Sequence, residues 1–404
     1  MKLSEILMPN NEALNYMERL VNKGSKSGFT TIHTSSMKTN PFYSESFRVK
    51  KLFAVSESVI ETYGSMPSFC YTNSESIDFI YMHPDWSLYH EKEICSLGNI
   101  IDGEIVIPTS SMRTVRIKGT NYYLKLCYPD KLGRLKRDLN YPHLISAIEV
   151  TESLNHLKNS GRVPDIFGFM PETGGKILKK GDTEIGFVVR EIGIDIHSYY
   201  LVPAFSLFSP DIKNPNDECL LIQLLRIKRN PIDFLLEDIC YPLIDIFFSC
   251  AFNEGLIPEM HSQNILYAFD AQFNVKKVVL RDFESVDKDV SIRSKLGLPP
   301  FVSYPYKCIC KSDKYYLKRH SLMFDHKLCE YLIDPMVKTA AIYLDINIDK
   351  ITNAIRHYVN EKMLFWNEPF FPDDHCWYKY PDIEIDRSTD ERPFVKYSNL
   401  TYRG

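Results

Sequence analysis

Two segments of this chain, 111–128 and 264–280, carry strand-forming residues on both sides of a polar turn, and each commits the chain to an antiparallel hairpin. In the first, Met112–Ile117 and Tyr122–Tyr128 flank Lys118-Gly119-Thr120-Asn121, a run of turn residues. A turn centred on Gly119-Thr120 sets Thr114 opposite Lys125 and Arg116 opposite Tyr123. Side chains alternate along a strand, so Thr114, Arg116 and Lys125 share a face. In the second, Asn264–Phe269 and Val275–Leu280 flank Asp270–Asn274. An antiparallel pair brings its open ends together. That places His261, Gln263 and Asn264 beside Arg281 and Asp282, so an imidazole, two carboxamides, a guanidinium and a carboxylate meet at one sheet end.

Around the hairpins the chain reads as mixed helix and strand. Pro142–Leu157 keeps Leu144, Ile148, Leu154 and Leu157 at helical spacing and stops near Gly161. TEIGFVVRE at 183–191 reads as a strand, and 217–228 and 231–254 as helices, the second ending at Gly255. Residues 311 to 362 are mostly helical in pattern, and the Pro- and Asp-rich end beyond them is irregular. Residues 1 to 75 open with a short amphipathic run (Leu14, Met17, Leu20, Val21) and pass into a Ser/Thr/Lys-rich stretch. This end reads as loosely organised, and its residues point to no assignable chemistry.

Charge narrows the function. The formal net charge is −4 and the pI about 6.3, which excludes the basic footprint of a general nucleic-acid binder and argues against an anionic-membrane binder. Hydrophobic residues make up 44% and charged residues 25%, as in globular chains. The longest apolar run, PLIDIFFSCAF, holds Asp245 and falls short of the ~20 residues a membrane span takes. The start, MKLSEILMPNNEALNY, lacks a signal-peptide pattern. The ten cysteines show no regular framework and read as reduced thiols of a cytoplasmic protein.

Two constellations could carry chemistry. Ser111, Arg113, Thr114, Lys125 and Arg137 supply three cations and two hydroxyls within 27 residues. Arg offers a planar fork to phosphate or carboxylate and Lys a point charge, so the set suits a polyphosphate. A strand face of solvated cations has the same composition. Glu259, His261, Gln263 and Asn264 with Asp282 form the second set. Its carboxylates, Glu259 and Asp282, suit Mg²⁺, a hard ion that keeps waters and phosphate oxygens as ligands. A polar turn after a helix has the same composition. No G-x-x-x-x-G-K-[ST] loop, G-x-G-x-x-G turn or G-x-S-x-G elbow is present. A bound nucleotide would therefore be held by strand side chains rather than by a glycine cradle.

Taken in order, these residues resemble the IucA/IucC (aerobactin-type) siderophore synthetases, which work without a peptide-synthetase assembly line. That family carries S-x-R-T, a Lys-Leu twelve residues after the Arg and another Arg twelve further on, matched by Ser111, Arg113, Thr114, Lys125-Leu126 and Arg137. Its Arg-Glu strand end, E-x-H-x-Q-N and R-D are matched by Arg190-Glu191, by Glu259, His261, Gln263 and Asn264, and by Arg281-Asp282. His83-Pro84-Asp85-Trp86 is similar to its HPWQ segment, and the likeness runs over residues 80–290. The family has many more residues before S-x-R-T.

The resemblance implies an α+β, hand-like fold: a reduced thumb over 1–79, β-rich fingers over 80–162 and a kinase-reminiscent palm over 163–404, with an ATP cleft between fingers and palm. It implies that ATP is held by Ser111, Arg113, Thr114, Lys125, Arg190, Gln263, Asn264 and Asp282, with Mg²⁺ at Glu259 and Asp282. Arg137 and His261 would hold a carboxylate substrate and, with Lys125, be catalytic. The implied reaction adenylates a citrate-like acid and joins it to an amine or hydroxyl, releasing pyrophosphate and AMP. Partners would be small molecules rather than nucleic acid or membrane, with a homodimer open to such a chain. Two alternatives keep part of the pattern. A kinase-like phosphotransferase shares the strand Lys and downstream Asp but would need an HRD-type base and a DFG, which this chain lacks. A non-catalytic nucleotide-binding paralogue fits the reduced thumb.

Overall fold

The computed structural model describes the chain except residues 26–36, 55–57, 73–77, 91–93, 95, 133–134, 374–375, 380–393 and 399. Helix α1 (Glu12–Leu20) precedes six strands: β1 (Phe47–Ala54), β2 (Val59–Gly64), β3 (Phe79–Met82), β4 (Gly98–Pro108), β5 (Thr114–Ile117) and β6 (Tyr122–Leu126). A small hairpin, β7 (Tyr128–Leu132) and β8 (Leu135–Arg137), leads into the long helix α2 (Tyr141–Asn159). Then come β9 (Phe167–Phe169), β10 (Glu172–Lys180), β11 (Thr183–Glu191), β12 (Tyr200–Pro203), α3 (Leu220–Ile227) and α4 (Tyr241–Glu254). The last third holds β13 (Leu256–Ile257), β14 (Ile265–Phe269), β15 (Val275–Leu280), β16 (Asp287–Asp289), β17 (Cys308–Ile309), α5 (Asp334–Leu344) and α6 (Ile348–Met363).

Two sheets organise the molecule. The larger is antiparallel throughout, in the order β2-β10-β11-β6-β5-β4-β1-β3, and the smaller runs β12-β14-β15-β9. Both expected hairpins form. Thr114 pairs with Lys125 and Arg116 with Tyr123, in the register the turn predicts, and Ile265 pairs with Leu280. The strand at 183–191 forms as read. Gly255 follows α4 with φ 67°, the left-handed geometry that ends helices.

Residues 47–54 and 59–64 correct the sequence reading. They are not loosely organised: β1 and β2 are strands of the larger sheet. Their pattern was hidden because Lys50 and Lys51 interrupt the apolar alternation and the register shifts between Arg48 and Lys50. Asp102 and Glu104 on β4 pair with the two lysines at 2.7 and 2.8 Å. The larger sheet thus draws strands from all three expected segments, 1–79, 80–162 and 163–404.

The two sheets are stitched tightly. The chain leaves β9 in the smaller sheet and enters β10 in the larger one through Met170-Pro171 alone. Met170 N–H donates to the Leu280 carbonyl at 2.8 Å, and Glu191 N–H to the Pro171 carbonyl at 3.0 Å. Helix α2 spans the same seam. Its Leu144 joins the core of the larger sheet, with Leu52, Leu124 and Phe187. Its Val150, Leu154 and Leu157 join the core of the smaller sheet, with Tyr267, Phe247 and Val337. Such apolar burial, ~25 cal/mol per Å², fixes the seam where the polar residues meet. Among the described residues no helix is long and apolar enough to cross a membrane, and the described cysteines are free thiols.

Candidate functional site

Strand pairing puts the first set of charges on one face. Val188 of β11 pairs with Lys125, and Arg190 with Tyr123, so Lys125 and Arg190 project on the same side of neighbouring strands. Glu172, the first residue of β10, lies across from Arg190. Arg113 enters β5 just after Met112, which sits at φ 64°. All four side chains are buried, with Lys125 only 1% exposed. From the smaller sheet, β15 ends at Leu280 and the chain turns sharply through Asp282 at φ 76° into the single turn Phe283–Ser285. That turn delivers Asp282 and Glu284 against the cations of the other sheet.

The result is a closed charge network across the seam. Lys125 Nζ contacts Asp282 Oδ1 directly, lies 2.8 Å from Glu284 Oε2 and 4.0 Å from Glu172 Oε1. Arg113 Nη2 donates to Glu284 Oε2 at 2.9 Å. Arg190 donates to Glu172 Oε1 through Nε at 3.0 Å and Nη2 at 2.5 Å, and lies 3.5 Å from Asp282. Glu172 also accepts the Phe283 N–H at 3.1 Å, tying the β10 end to the Asp282 turn. One donor is left over: Arg113 Nη1 is buried with no hydrogen-bond partner among the described residues.

Burial alone would neutralise such groups, but their partners outweigh it. Burial raises the Asp282 carboxyl, yet Lys125 and Arg190 hold it at about 2. Glu284 is held well below the carboxylate range: burial opposes, and Arg113 and Lys125 prevail. Burial lowers Lys125, but Asp282, Glu172 and Glu284 carry it above the ordinary lysine value. Lys125, Asp282 and Glu284 are thereby held in their charged forms at neutral pH.

The remaining expected residues, Arg137 apart, lie on or just before β14 and β5. Asn264 Nδ2 donates to the Glu259 carbonyl at 3.0 Å, and Gln263 Nε2 to Ser110 Oγ at 3.3 Å. Glu259, Asn264 and Asp282 line one small hollow. Glu259 pairs with Lys327 at 2.5 Å. His261 is buried, and its Nδ1 accepts the Gln263 N–H at 3.2 Å, which leaves Nε2 as the protonated nitrogen. Ser111 Oγ accepts the Thr114 N–H at 3.1 Å and so shapes the loop that presents Arg113. Arg137 ends β8 paired with Tyr128, and its side chain lies outside the described residues.

Several participants were not found from the sequence. Glu172, Glu284 and Lys327 had no motif to mark them. Glu18 on α1 takes the Arg281 Nη1 at 2.5 Å and the Ser110 hydroxyl at 2.7 Å. The N-terminal helix therefore serves the site, a role the sequence reading did not assign to it. It also explains Arg281. That guanidinium turns from Asp282 to Glu18 and the Gln263 carbonyl (2.8 Å), so it braces the site rather than lining it. A buried Glu on an amphipathic helix was the available signal, but nothing local names its partner.

No family model and no curated protein matches the sequence. Solved structures do match. The ATP-bound aerobactin synthetase IucA from a hypervirulent pathotype of Klebsiella pneumoniae superposes with a TM-score of 0.68 at 14% identity, covering 89% of this chain and 70% of that one. The petrobactin biosynthesis protein AsbB from Bacillus anthracis gives 0.67 at 12% identity, over 89% and 69%. Aerobactin synthetase IucC from the same Klebsiella pathotype gives 0.65 at 12% identity, over 85% and 67%. The chain has the fold of the siderophore synthetases. Within this synthetase fold the two motif-bearing hairpins belong to different sheets, and the β9–β10 crossing brings them together.

Proposed function

We propose that the protein is an ATP-dependent ligase that adenylates a citrate-like carboxylic acid and joins it to an amine or hydroxyl, acting on small metabolites in the cytoplasm. The observation that carries this reading is the meeting of Arg113, Lys125 and Arg190 with Asp282 and Glu284 at the seam between the sheets. The shared fold, one member of which was solved with ATP bound, supports it.

The residues fit a triphosphate. Arg113 keeps a buried donor open, and a phosphate offers more acceptor oxygens than one carboxylate can. Ser111, Thr114, Gln263 and Asn264 would hold the rest of the nucleotide. Among the described residues no three His, Cys, Asp or Glu form a metal cluster. A Mg²⁺ ion would therefore rest on Asp282 and Glu259 and complete its shell with phosphate oxygens and water. When bound, it supplies charge neutralisation at the phosphates.

In the first step a substrate carboxylate oxygen bonds to the α-phosphorus, and the bond to the β-phosphate oxygen breaks, releasing pyrophosphate. Two anions must approach. Arg113 and Lys125 offset that repulsion, and Arg137 with the Nε2–H of His261 would aim the acid. In the second step the amine or hydroxyl attacks the acyl carbon, loses its proton and displaces AMP. The contribution is positioning and preorganised charge, with no covalent enzyme intermediate.

The test is incubation with ATP, Mg²⁺ and panels of polycarboxylic acids and amines. Pyrophosphate and AMP are expected, and Arg113→Ala or Lys125→Ala should lower their formation by about a hundredfold or more. ADP and orthophosphate instead would point to a kinase-like phosphotransferase. Tight ATP binding without turnover on any pair would point to a nucleotide-binding paralogue.

A further inference from the structure

We propose that Glu284 is a resident anion in the phosphate seat: its carboxylate holds Arg113 and Lys125 in place and must withdraw when a triphosphate binds, so that it sets the affinity of the site. The inference rests on the nucleotide reading above and adds a residue that the motifs do not contain.

The geometry separates the three acids. Glu172 is fully buried and clamped by Arg190 and by the Phe283 N–H. It belongs to the seam and has nowhere to go. Asp282 is fixed on a left-handed backbone at the end of β15. Glu284 differs. The contacts that define it run through its side chain: one oxygen, Oε2, takes both Arg113 Nη2 at 2.9 Å and Lys125 Nζ at 2.8 Å, while Oε1 lies 3.7 Å from His143 Nε2. Its side chain is 15% exposed, so it has a route outward. It rides on a single three-residue turn rather than on a strand.

A single carboxylate oxygen shared by two cations is an incomplete occupant. The guanidinium fork has two arms, and among the described residues Nη2 alone meets a carboxylate while Nη1 is buried with no hydrogen-bond partner. Leaving a buried donor unpaired is unfavourable. A phosphate group in the same place presents several oxygens and can take both arms and the lysine together. Glu284 therefore competes with the ligand for its cations while keeping them charged and aimed in its absence. The apparent dissociation constant is the intrinsic one divided by the fraction of time that the carboxylate leaves the seat free.

The probe is inorganic tripolyphosphate, titrated into the full chain by calorimetry without divalent metal, with ATP as competitor. Wild type should bind, Arg113→Ala should not, and Glu284→Gln should bind about tenfold more tightly, as expected for removing a competitor that occupies the seat about nine-tenths of the time. Glu284→Asp, which keeps the charge, should stay near wild type. A merely structural glutamate would give the opposite sign, weaker or unchanged binding on replacement, and that result would overturn the inference. Should Glu284→Gln fail to fold, a crystal structure of wild type with tripolyphosphate decides. Glu284 displaced from Arg113 and Lys125 supports the inference, and Glu284 still bridging them overturns it. If neither wild type nor Glu284→Gln binds tripolyphosphate or ATP, the nucleotide reading itself has failed.

Discussion

Lys125 and Lys288 are both buried, at 1% and 0% exposure, yet the molecule treats them in opposite ways. Lys125 meets Asp282, Glu284 and Glu172. Lys288 on β16 donates to two hydroxyls, Ser146 at 2.7 Å and Ser303 at 2.5 Å, and sits beside the Phe301 and Tyr306 rings. Burial pushes both ammonium groups down. At Lys125 the carboxylates reverse that push and carry it above its ordinary value. At Lys288 burial wins and leaves it at about 8. Burial thus does not by itself decide whether a lysine stays charged; the chemistry of its partners does.

The comparison can be broken by matched substitutions. Lys125→Met leaves three carboxylates facing each other without their central cation, and should cost about 3–5 kcal/mol in urea unfolding at pH 7. A cost below ~1 kcal/mol would mean that the network does not stabilise the seam. Lys288→Met removes a cation that burial disfavours, and its signature lies in pH. The folded value of about 8 lies below the unfolded 10.5, so between them the unfolded chain binds more protons and wild-type stability rises with pH. The wild-type curve should gain about 3 kcal/mol on Lys288→Met from pH 8 to 10.5. Parallel curves would place the lysine in a more polar setting than the structure shows.

Asp282 sharpens the other side. Its folded value, about 2, lies below the unfolded 3.8. The stabilisation is present above about pH 4 and is lost as pH falls toward 2. Partial exposure of the side chain, 32%, limits it to about 2 kcal/mol or less. Wild type and Asp282→Asn should converge over that window when thermal unfolding is followed at stepped pH. Curves that stay equally spaced would show that Asp282 does not titrate with its cations.

The features legible in the sequence were those set by near neighbours. Gly119-Thr120 and Asp270–Asn274 mark turns, and period-two patterns set the register, so Thr114 opposite Lys125 and Asn264 beside Arg281 could be placed. The strand at 183–191 and the left-handed stop at Gly255 were legible for the same reason. What escaped was long-range pairing. Glu18 and Arg281 are 263 residues apart, and Arg113 and Glu284 171 apart. An acidic residue destined for a buried network looks in sequence like one bound for solvent. The β1 strand escaped because its lysines are tolerated only by acids on β4, which no local rule supplies.

By itself the order of residues determined two hairpins, the register and shared face of the first, and the meeting of the open ends of the second, because backbone sterics and alternation act over a few positions. Only the tertiary structure decided that the hairpins face each other, since that follows from the two-residue crossing between β9 and β10 and from the packing of α2 over the seam. It also decided which acids meet which cations. Charge attraction is non-local, and the apolar cores, not the charges, set the distances over which it acts.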